Sequence, residues 1–378
     1  MAHRATTQTF ITGFGVWHPP SVLGNVELCE AFNEYVRRDN AKHAEEIEAT
    51  THVALRESSP EFIVRSSGIE QRYVHDKTGL VDPERMWPNI PDRPDDEISV
   101  QAEYAVHAAQ KALAIAGRSG EDVDLVILGA SCLQRSYPAM AIEVQAALRA
   151  RGHGFDISLG CATGLCGLQL ASQAVQLGRA RCALVVLPEL TSPHLNWRER
   201  DTHFILGDAA VAIVIEPTTG TTARTAWEIR STHMASRWSN NIRNNFGFMN
   251  RCDPNSNASD KLFHQHGPRV FKDVVPMAEK FINEMLAEHE LGAAQVGRYW
   301  LHQANRNMND LIVKRVLGRA ATAAEAPLVL AEYGNTASAG SLIAFALHNE
   351  DLPADTLGIM AAFGAGYSLG GLVLQRAA

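Results

Sequence analysis

GFDISLGCATGLCGLQLA, Gly154 to Ala171, reads as a strand that turns through a glycine into a helix, with the thiol of Cys161 where the helix begins. A helix N-terminus offers unpaired backbone N–H groups and a partial positive charge, so it favours thiolate over thiol. The spacing therefore places Cys161 in the first helical turn and predicts a depressed pKa. The same helix end can hold an oxyanion when sulfur attacks a carbonyl, so one backbone feature would serve two steps of acyl transfer.

A buried cysteine is by default a small apolar residue. That reading suits Cys29, Cys132, Cys166, Cys182 and Cys252, which lie in helix-like, strand-like or loop-like stretches. No CxxC pair and no Cys/His cluster with zinc spacing occurs, so neither a redox dithiol nor a structural metal is expected.

The surrounding chain is of globular type. Its 378 residues are 46% hydrophobic and 20% charged, enough for two domain-sized units or one large unit built from halves. Net charge is −8, from 42 acidic and 34 basic side chains, which argues against general nucleic-acid binding and leaves room only for local basic patches. The first residues, MAHRATTQTFITGFG, lack an apolar core behind a basic end, so the expected compartment is the cytoplasm, with no membrane role. The run GIMAAFGAGYSLGGLVL, Gly358 to Leu374, has the length of a membrane helix but holds five glycines, and it divides into two buried strands joined by a turn.

Working outward, the strand–turn–helix unit has counterparts about 174 residues on. DLVILGASC at Asp124 pairs with RYWLHQAN at Arg298, GFDISLGC with LAEYGN, and CALVVLPEL at Cys182 with TLGIMAAFG at Thr356. A fourth pair, GDAAVAIVIEP at Gly207 and GYSLGGLVLQR at Gly366, is offset by 159, which implies an extra loop between Leu190 and Gly207. Apolar strands alternating with helices suit a sheet covered on both faces, so the chain reads as two similar α/β halves, 1–217 and 226–378. PTTGTTART, Pro217 to Thr225, joins them; segments 33–59 and 76–97, the first strongly charged and the second rich in Pro and acid, read as insertions. The offset relates Cys161 to Asn335 and puts His302 on a neighbouring strand end, so the three can share one pocket at carboxyl ends of strands.

With these residues placed, the chain resembles the ketoacyl-ACP synthase III family of the thiolase superfamily over nearly its whole length. The strings that carry the resemblance are SSPEFIVRSSGIEQR at Ser58, SYPAMAIEVQAAL at Ser136, FDISLGCATG, THFILGDAAVA at Thr202, LHQAN at Leu301, EYGNTASAG at Glu332 and FGAGYSLG at Phe363. The resemblance implies a homodimer of duplicated five-layer α-β-α-β-α subunits with a Cys161, His302, Asn335 set. Cys161 would take an acyl group from acyl-CoA or acyl carrier protein, its oxyanion held by the backbone N–H groups of Cys161 and Ala365. Decarboxylation of malonyl carrier protein would then give an enolate, held by His302 and Asn335, which attacks the acyl-cysteine. No cofactor beyond the thioester substrates is implied. Taken alone, His302 would be a structural histidine and Asn335 a helix cap before TASAG.

Departures from the family bear on the substrate. Members that use acetyl-CoA carry Trp and Arg where this chain has Phe62 and Ser66, with Arg65 shifted by one, while Arg200 matches the opposite side of the CoA clasp. Asn307 stands at the usual carrier-protein docking arginine, with Arg306 beside it and Lys314 and Arg315 on the same helix as the expected basic patch. Tyr137 matches a residue that closes the acyl pocket of the partner subunit. Together with the insertions, these features favour medium or longer acyl donors. A true thiolase would need a second catalytic cysteine near FGAGYSLGG, where none occurs. A plant-type polyketide synthase or a head-to-head acyl-CoA condensing enzyme shares the chemistry; a papain-like hydrolase and an inactive carrier-binding subunit are the readings of other classes.

Overall fold

The runs ALVVLPE and AAVAIVIE contain almost nothing that water could solvate, and a strand covered on both faces needs that composition. Two such runs, Ala183–Glu189 and Ala209–Glu216, become central strands of the computed structural model, which describes residues 7–217, 226–252, 254 and 261–377. In chain order the strands are β1 (Phe10–Trp17), β2 (Ser21–Gly24), β3 (Gln71–Val74), β4 (Leu125–Gly129), β5 (His153–Ile157), β6 (Ala183–Glu189), β7 (Ala209–Glu216), β8 (Trp227–Ser239), β9 (Ile242–Asn244), β10 (Phe263–Gln265), β11 (Val296–Leu301), β12 (Leu357–Gly364) and β13 (Gly366–Arg376). The helices are α1 (Asn25–Lys42), α2 (Ala44–Glu48), α3 (Pro60–Ser67), α4 (Val100–Ala116), α5 (Met140–Leu148), α6 (Thr163–Gln176), α7 (Gly267–Glu288), α8 (Arg306–Leu317), α9 (Leu330–Tyr333) and α10 (Gly340–Leu347).

Nine strands form one sheet in the order β11-β12-β13-β8-β1-β7-β6-β4-β5. Its two wings join where Phe10 and Ile11 of β1 pair with Glu228 and Trp227 of β8. In one wing β4 and β6 run parallel and β6, β7 and β1 antiparallel; in the other β11 and β12 run parallel and β12, β13 and β8 antiparallel. Residues of α6 and α10 share one core with inward-facing residues of both wings, centred on Trp227, Trp300 and Phe345 with ring centroids 5.0–5.9 Å apart. Helices α4 and α5 cover the outer face of the β4–β6–β7 wing, and α7 and α8 cover that of the β11–β12–β13 wing. Helix, sheet, helix, sheet, helix is the five-layer thiolase arrangement. The run Gly358 to Leu374 is the β12–β13 hairpin, paired from Leu357↔Gln375 to Gly364↔Ser368, and among the described residues no helix is long and apolar enough to cross a membrane.

One expected strand is absent. LAEYGN, matched in the sequence to the β5 segment, forms the short helix α9, so β11 ends the sheet at that side. Pro327 just ahead of it cannot donate to a ladder, and the nearby backbone groups are satisfied otherwise: Tyr299 N–H donates to Glu325 O at 2.7 Å, and Gln303 Oε1 accepts from Val329 and Leu330 N–H at 2.9 and 3.3 Å. The loop implied by the shorter offset is present between β6 and β7. Of the connecting stretch at 217–225, all but Pro217 lies outside the described residues. Segment 33–59 holds the end of α1, all of α2 and an irregular return segment tied back by reciprocal pairs, Asn33 with Ser58 and Asn40 with Leu55.

Candidate active site

Strand β5 stops at Ile157, and a tight turn follows in which Thr163 Oγ1 accepts from Leu159 N–H at 2.7 Å and donates to Gly160 O at 2.6 Å. Gly160, at φ +53°, supplies the left-handed residue this turn needs. Cys161 follows it, and α6 starts only at Thr163 with Ala162 as its cap, so the thiol sits ahead of the first helical turn rather than inside it. The tip of the β12–β13 hairpin packs directly on it: a Cβ on Gly364 would lie 2.5 Å from Cys161 Sγ.

The thiol pKa runs against the sequence expectation. Burial pushes Cys161 up to about 12; the backbone N–H groups of Ala365 and Cys161 pull it down, and the Glu189 carboxylate pushes it up. Desolvation wins because a thiolate in an enclosed apolar site loses more water than two N–H groups and a helix end return. At neutral pH the resting group is therefore the thiol.

His302 directly follows β11, with its N–H on Ala361 O at 2.8 Å and its own carbonyl accepting from Asn309 Nδ2 at 2.9 Å. Its ring stands edge-on to Phe363, 5.8 Å away, and burial lowers its pKa to about 4, so it is neutral at pH 7. Nδ1 is buried without a hydrogen-bond partner. A buried N–H with no acceptor is the costlier orphan, so we assign the proton to Nε2, which makes that atom a donor.

Asn335 is clamped by its backbone to the β6–β7 loop: its N–H donates to Ile205 O at 2.9 Å and its carbonyl accepts from Gly207 N–H at 3.1 Å. Its side-chain Oδ1 accepts from Ala337 N–H at 2.9 Å, which closes a turn and not a helix cap: α10 begins at Gly340 with Ala339 as its cap. With the acceptor end of the amide occupied, Nδ2 is the end left to donate. The turn bond and donation thus use opposite atoms of one side chain.

Cys161, His302 and Asn335 line one cavity of about 750 Å³. Its apolar wall includes Phe62, Phe263, Phe271, Val274 and Phe363, a size and lining suited to an apolar ligand with a few convergent polar groups. Neither insertion contributes to the lining. The stretch between β8 and α7 does, through Ile242 of β9 and Phe263, His264 and Gln265 of β10, which pair as a two-stranded ribbon. The sequence reading missed that ribbon; its signal was the length of the interval from β8 to α7, since connections beyond about 12–15 residues in a compact domain are uncommon and often functional.

Other sequence candidates are dispersed. Phe62 and Arg200 do face each other, the guanidinium 3.9 Å from the ring centroid, with Arg200 Nε also on Glu57 O at 2.7 Å. Ser66 lines the cavity, whereas Arg65 is exposed. Tyr137 lies 85% exposed in the loop before α5. Arg306 folds back against Gly68, Arg315 pairs with Glu279 at 3.2 Å, and Lys314 is exposed. Ala365, the proposed second oxyanion donor, sits at the hairpin tip with its N–H toward the Cys161 sulfur.

Known proteins are similar to this chain. Residues 155–237 match the model of 3-oxoacyl-[acyl-carrier-protein (ACP)] synthase III, and residues 286–376 that of its C-terminal part. The chain is 49% identical over 348 residues to the beta-ketodecanoyl-[acyl-carrier-protein] synthase of Pseudomonas aeruginosa, covering 92% of this chain and 99% of that one. It is 32% identical over 282 residues to the beta-ketoacyl-[acyl-carrier-protein] synthase III of Symbiobacterium thermophilum, covering 72% and 83%. The crystal structure of 3-oxoacyl-[acyl-carrier-protein] synthase III from Aquifex aeolicus superposes with a TM-score of 0.74 at 24% identity, over 97% of this chain and 99% of that one.

Proposed function

The chain belongs to the 3-oxoacyl-[acyl-carrier-protein] synthase III family of condensing acyltransferases, and we propose that within it Cys161, His302 and Asn335 elongate a medium-chain acyl thioester by one malonyl unit to a 3-oxoacyl carrier protein. The observation that carries this is their convergence: one thiol, one neutral imidazole and one carboxamide, remote in sequence, line a single apolar cavity. The 49% identity to an enzyme named for a ketodecanoyl product supports the medium-chain donor.

In the first stage the Cys161 sulfur attacks the donor carbonyl, and the N–H groups of Cys161 and Ala365 donate to the oxyanion. The C–S bond of the donor breaks, and the cysteine proton leaves with the departing thiol. In the second stage the malonyl carboxylate departs as CO₂, and its bonding pair moves onto the thioester as an enolate. His302 Nε2–H and Asn335 Nδ2–H donate to the enolate oxygen, each donor of this kind being worth about 10²–10³ in rate. The enolate carbon then forms the new C–C bond to the acyl carbon, and the Cys161 thiolate leaves and is reprotonated. A neutral imidazole suits the role because it donates without presenting a cation that would trap the malonyl carboxylate.

The proposal extends to the setting. The substrates are thioesters and no step draws on a further cofactor; Lys314 and Arg315 meet the acidic carrier protein; the exposed Tyr137 is covered by the second subunit of a cytoplasmic homodimer; and the halves divide at 1–217 and 226–378.

Incubating the protein with acetyl, octanoyl and decanoyl groups on CoA and on carrier protein, then with malonyl carrier protein, tests it by mass spectrometry. Expected are an acyl adduct on Cys161, strongest with octanoyl, absent in Cys161→Ala, and consumed to 3-oxoacyl carrier protein. Release of free fatty acid, turnover without malonyl carrier protein, or a clear preference for acetyl would overturn the corresponding part.

A further inference from the structure

Glu189, the last residue of β6, is completely buried, yet none of the steps above uses it. Its two oxygens are fully engaged. Oε1 accepts from Ser131 N–H at 2.9 Å, from Ser338 N–H at 3.0 Å and from the Ser338 hydroxyl, while Oε2 accepts from the Ser131 hydroxyl at 2.7 Å. A carboxylate taken wholly out of water is tolerated only with such a set of donors. Here the donors come from two segments: the loop after β4, and the turn that follows Asn335.

That turn is strained. Ala337 stands at φ +46°, in the left-handed region that a residue with a Cβ enters at a cost, and its N–H is the donor to Asn335 Oδ1. Residues held in such conformations persist where their surroundings over-determine them. Ser338, the next residue, is the one fixed by Glu189 through both its N–H and its hydroxyl. The chain of contacts runs from the carboxylate to Ser338, to the Ala337 peptide, to Asn335 Oδ1.

We propose that Glu189 is a positioning residue for the condensation step: it holds the Ala337–Ser338 turn in its strained conformation, so that Asn335 Oδ1 stays engaged and Nδ2 stays aimed into the cavity. The inference rests on the proposed function: the clamp acts on the second stage, whereas on the first the carboxylate acts only by raising the Cys161 pKa, so its removal does not impair acylation. A carboxylate serving only to fill the interior would affect both stages alike.

The substitutions separate clamp from charge. Glu189→Gln keeps an acceptor at Oε1 for the three donors there, and the Ser131 hydroxyl can turn to accept at the other atom, so condensation stays within a few-fold of wild type. Glu189→Ala removes the clamp. Its kcat with malonyl carrier protein falls about 10²-fold, the size of losing one enolate donor, while KM for malonyl carrier protein and the rate of Cys161 acylation hold within a few-fold. Adding Ala337→Gly to Glu189→Ala restores part of kcat, because glycine takes positive φ without the clamp. Should Glu189→Ala fail to fold, Ser338→Ala reads the same split with a smaller loss.

Equal loss of acylation and condensation, an unchanged kcat, or no gain from Ala337→Gly would each overturn the proposal. Wild-type protein that acylates Cys161 but never condenses would overturn the proposed function with it, whereas normal wild-type condensation with an indifferent Glu189→Ala would overturn the clamp alone.

Discussion

Cys161 and Asn335 face one cavity but are held there by different means. Cys161 follows strand β5, whose register with β4 runs from Leu125↔His153 to Gly129↔Ile157, so a sheet ladder delivers the sulfur. Asn335 follows α9, where a strand was expected, and is held by a two-bond bridge to the β6–β7 loop, the bond from Ala337 N–H and the Glu189 clamp. A ladder shares its load among many bonds, while a side-chain clamp concentrates it in a few. The nucleophile arm should therefore resist single substitutions outside its own contact surface, and the asparagine arm should not.

The largest effects should come from touching each arm at its tip. Gly364→Ala puts a methyl where Cys161 Sγ now lies 2.5 Å from the added carbon, so the sulfur must move. Acylation is expected to fall about 10²-fold, the penalty for displacing a reacting group by around 1 Å, read as the rate of adduct formation. Asn335→Ala should instead leave acylation within a few-fold and lower condensation about 10²–10³-fold. If both variants damage both stages equally, the separation of arms is wrong.

Next in size is Gly334→Ala, which strains the asparagine arm without removing a functional atom. Gly334 sits at φ +67° and ψ −165°, a region closed to residues with a Cβ, and the new methyl would meet Arg72 Cβ at 3.2 Å and Ile205 O at 3.3 Å. A loss of about 1–3 kcal/mol is expected, seen as a lower Tm with condensation reduced more than acylation. Equal stability to wild type would show that the arm is looser than its contacts imply.

Acid should weaken the same arm. His203, in the loop that braces Asn335, has its pKa lowered by burial to about 3, and its Nε2 is buried without a partner. The folded state thus binds fewer protons than the unfolded chain, whose histidines titrate near 6.5, so stability is full above that value and declines as pH falls from it towards 3. His302 and His194, both lowered to about 4, act with the same sign, whereas buried Glu189 and Asp208, raised by burial, act with the opposite sign over a range that opens upward from their unfolded values. The check is a difference: His203→Gln should lose less stability than wild type between pH 7.5 and 5, by up to ~2 kcal/mol. Parallel curves would exclude His203 as a source of acid sensitivity.

The smallest effect is expected at the mouth. Phe62→Ala removes the ring on which Arg200 stacks, a contact worth about 0.5–1 kcal/mol at a partly exposed site. KM for acyl-CoA donors should change only a few-fold, with kcat untouched.

Much of this was legible beforehand because it depends on local pattern. Apolar runs such as ALVVLPE can only be buried strands, Gly160 and Gly334 mark turns, and the spacing of Cys161 from Asn335 fixes their equivalence whatever lies between. The absent strand was not legible, since LAEY suits a strand or a helix and Gln303, far along the chain, satisfies the backbone groups that decide it. Nor was the β9–β10 ribbon, whose paired segments are three residues each and carry no readable period.

The sequence by itself determined which residue types could do chemistry and in what order strands and helices carry them, because periodicity, turn chemistry and motif spacing are properties of neighbours. Only the tertiary structure decided the thiol's resting charge, the tautomer of His302 and the clamp on Asn335. Desolvation and buried hydrogen bonds depend on which distant groups come to surround an atom, and no stretch of chain contains that information.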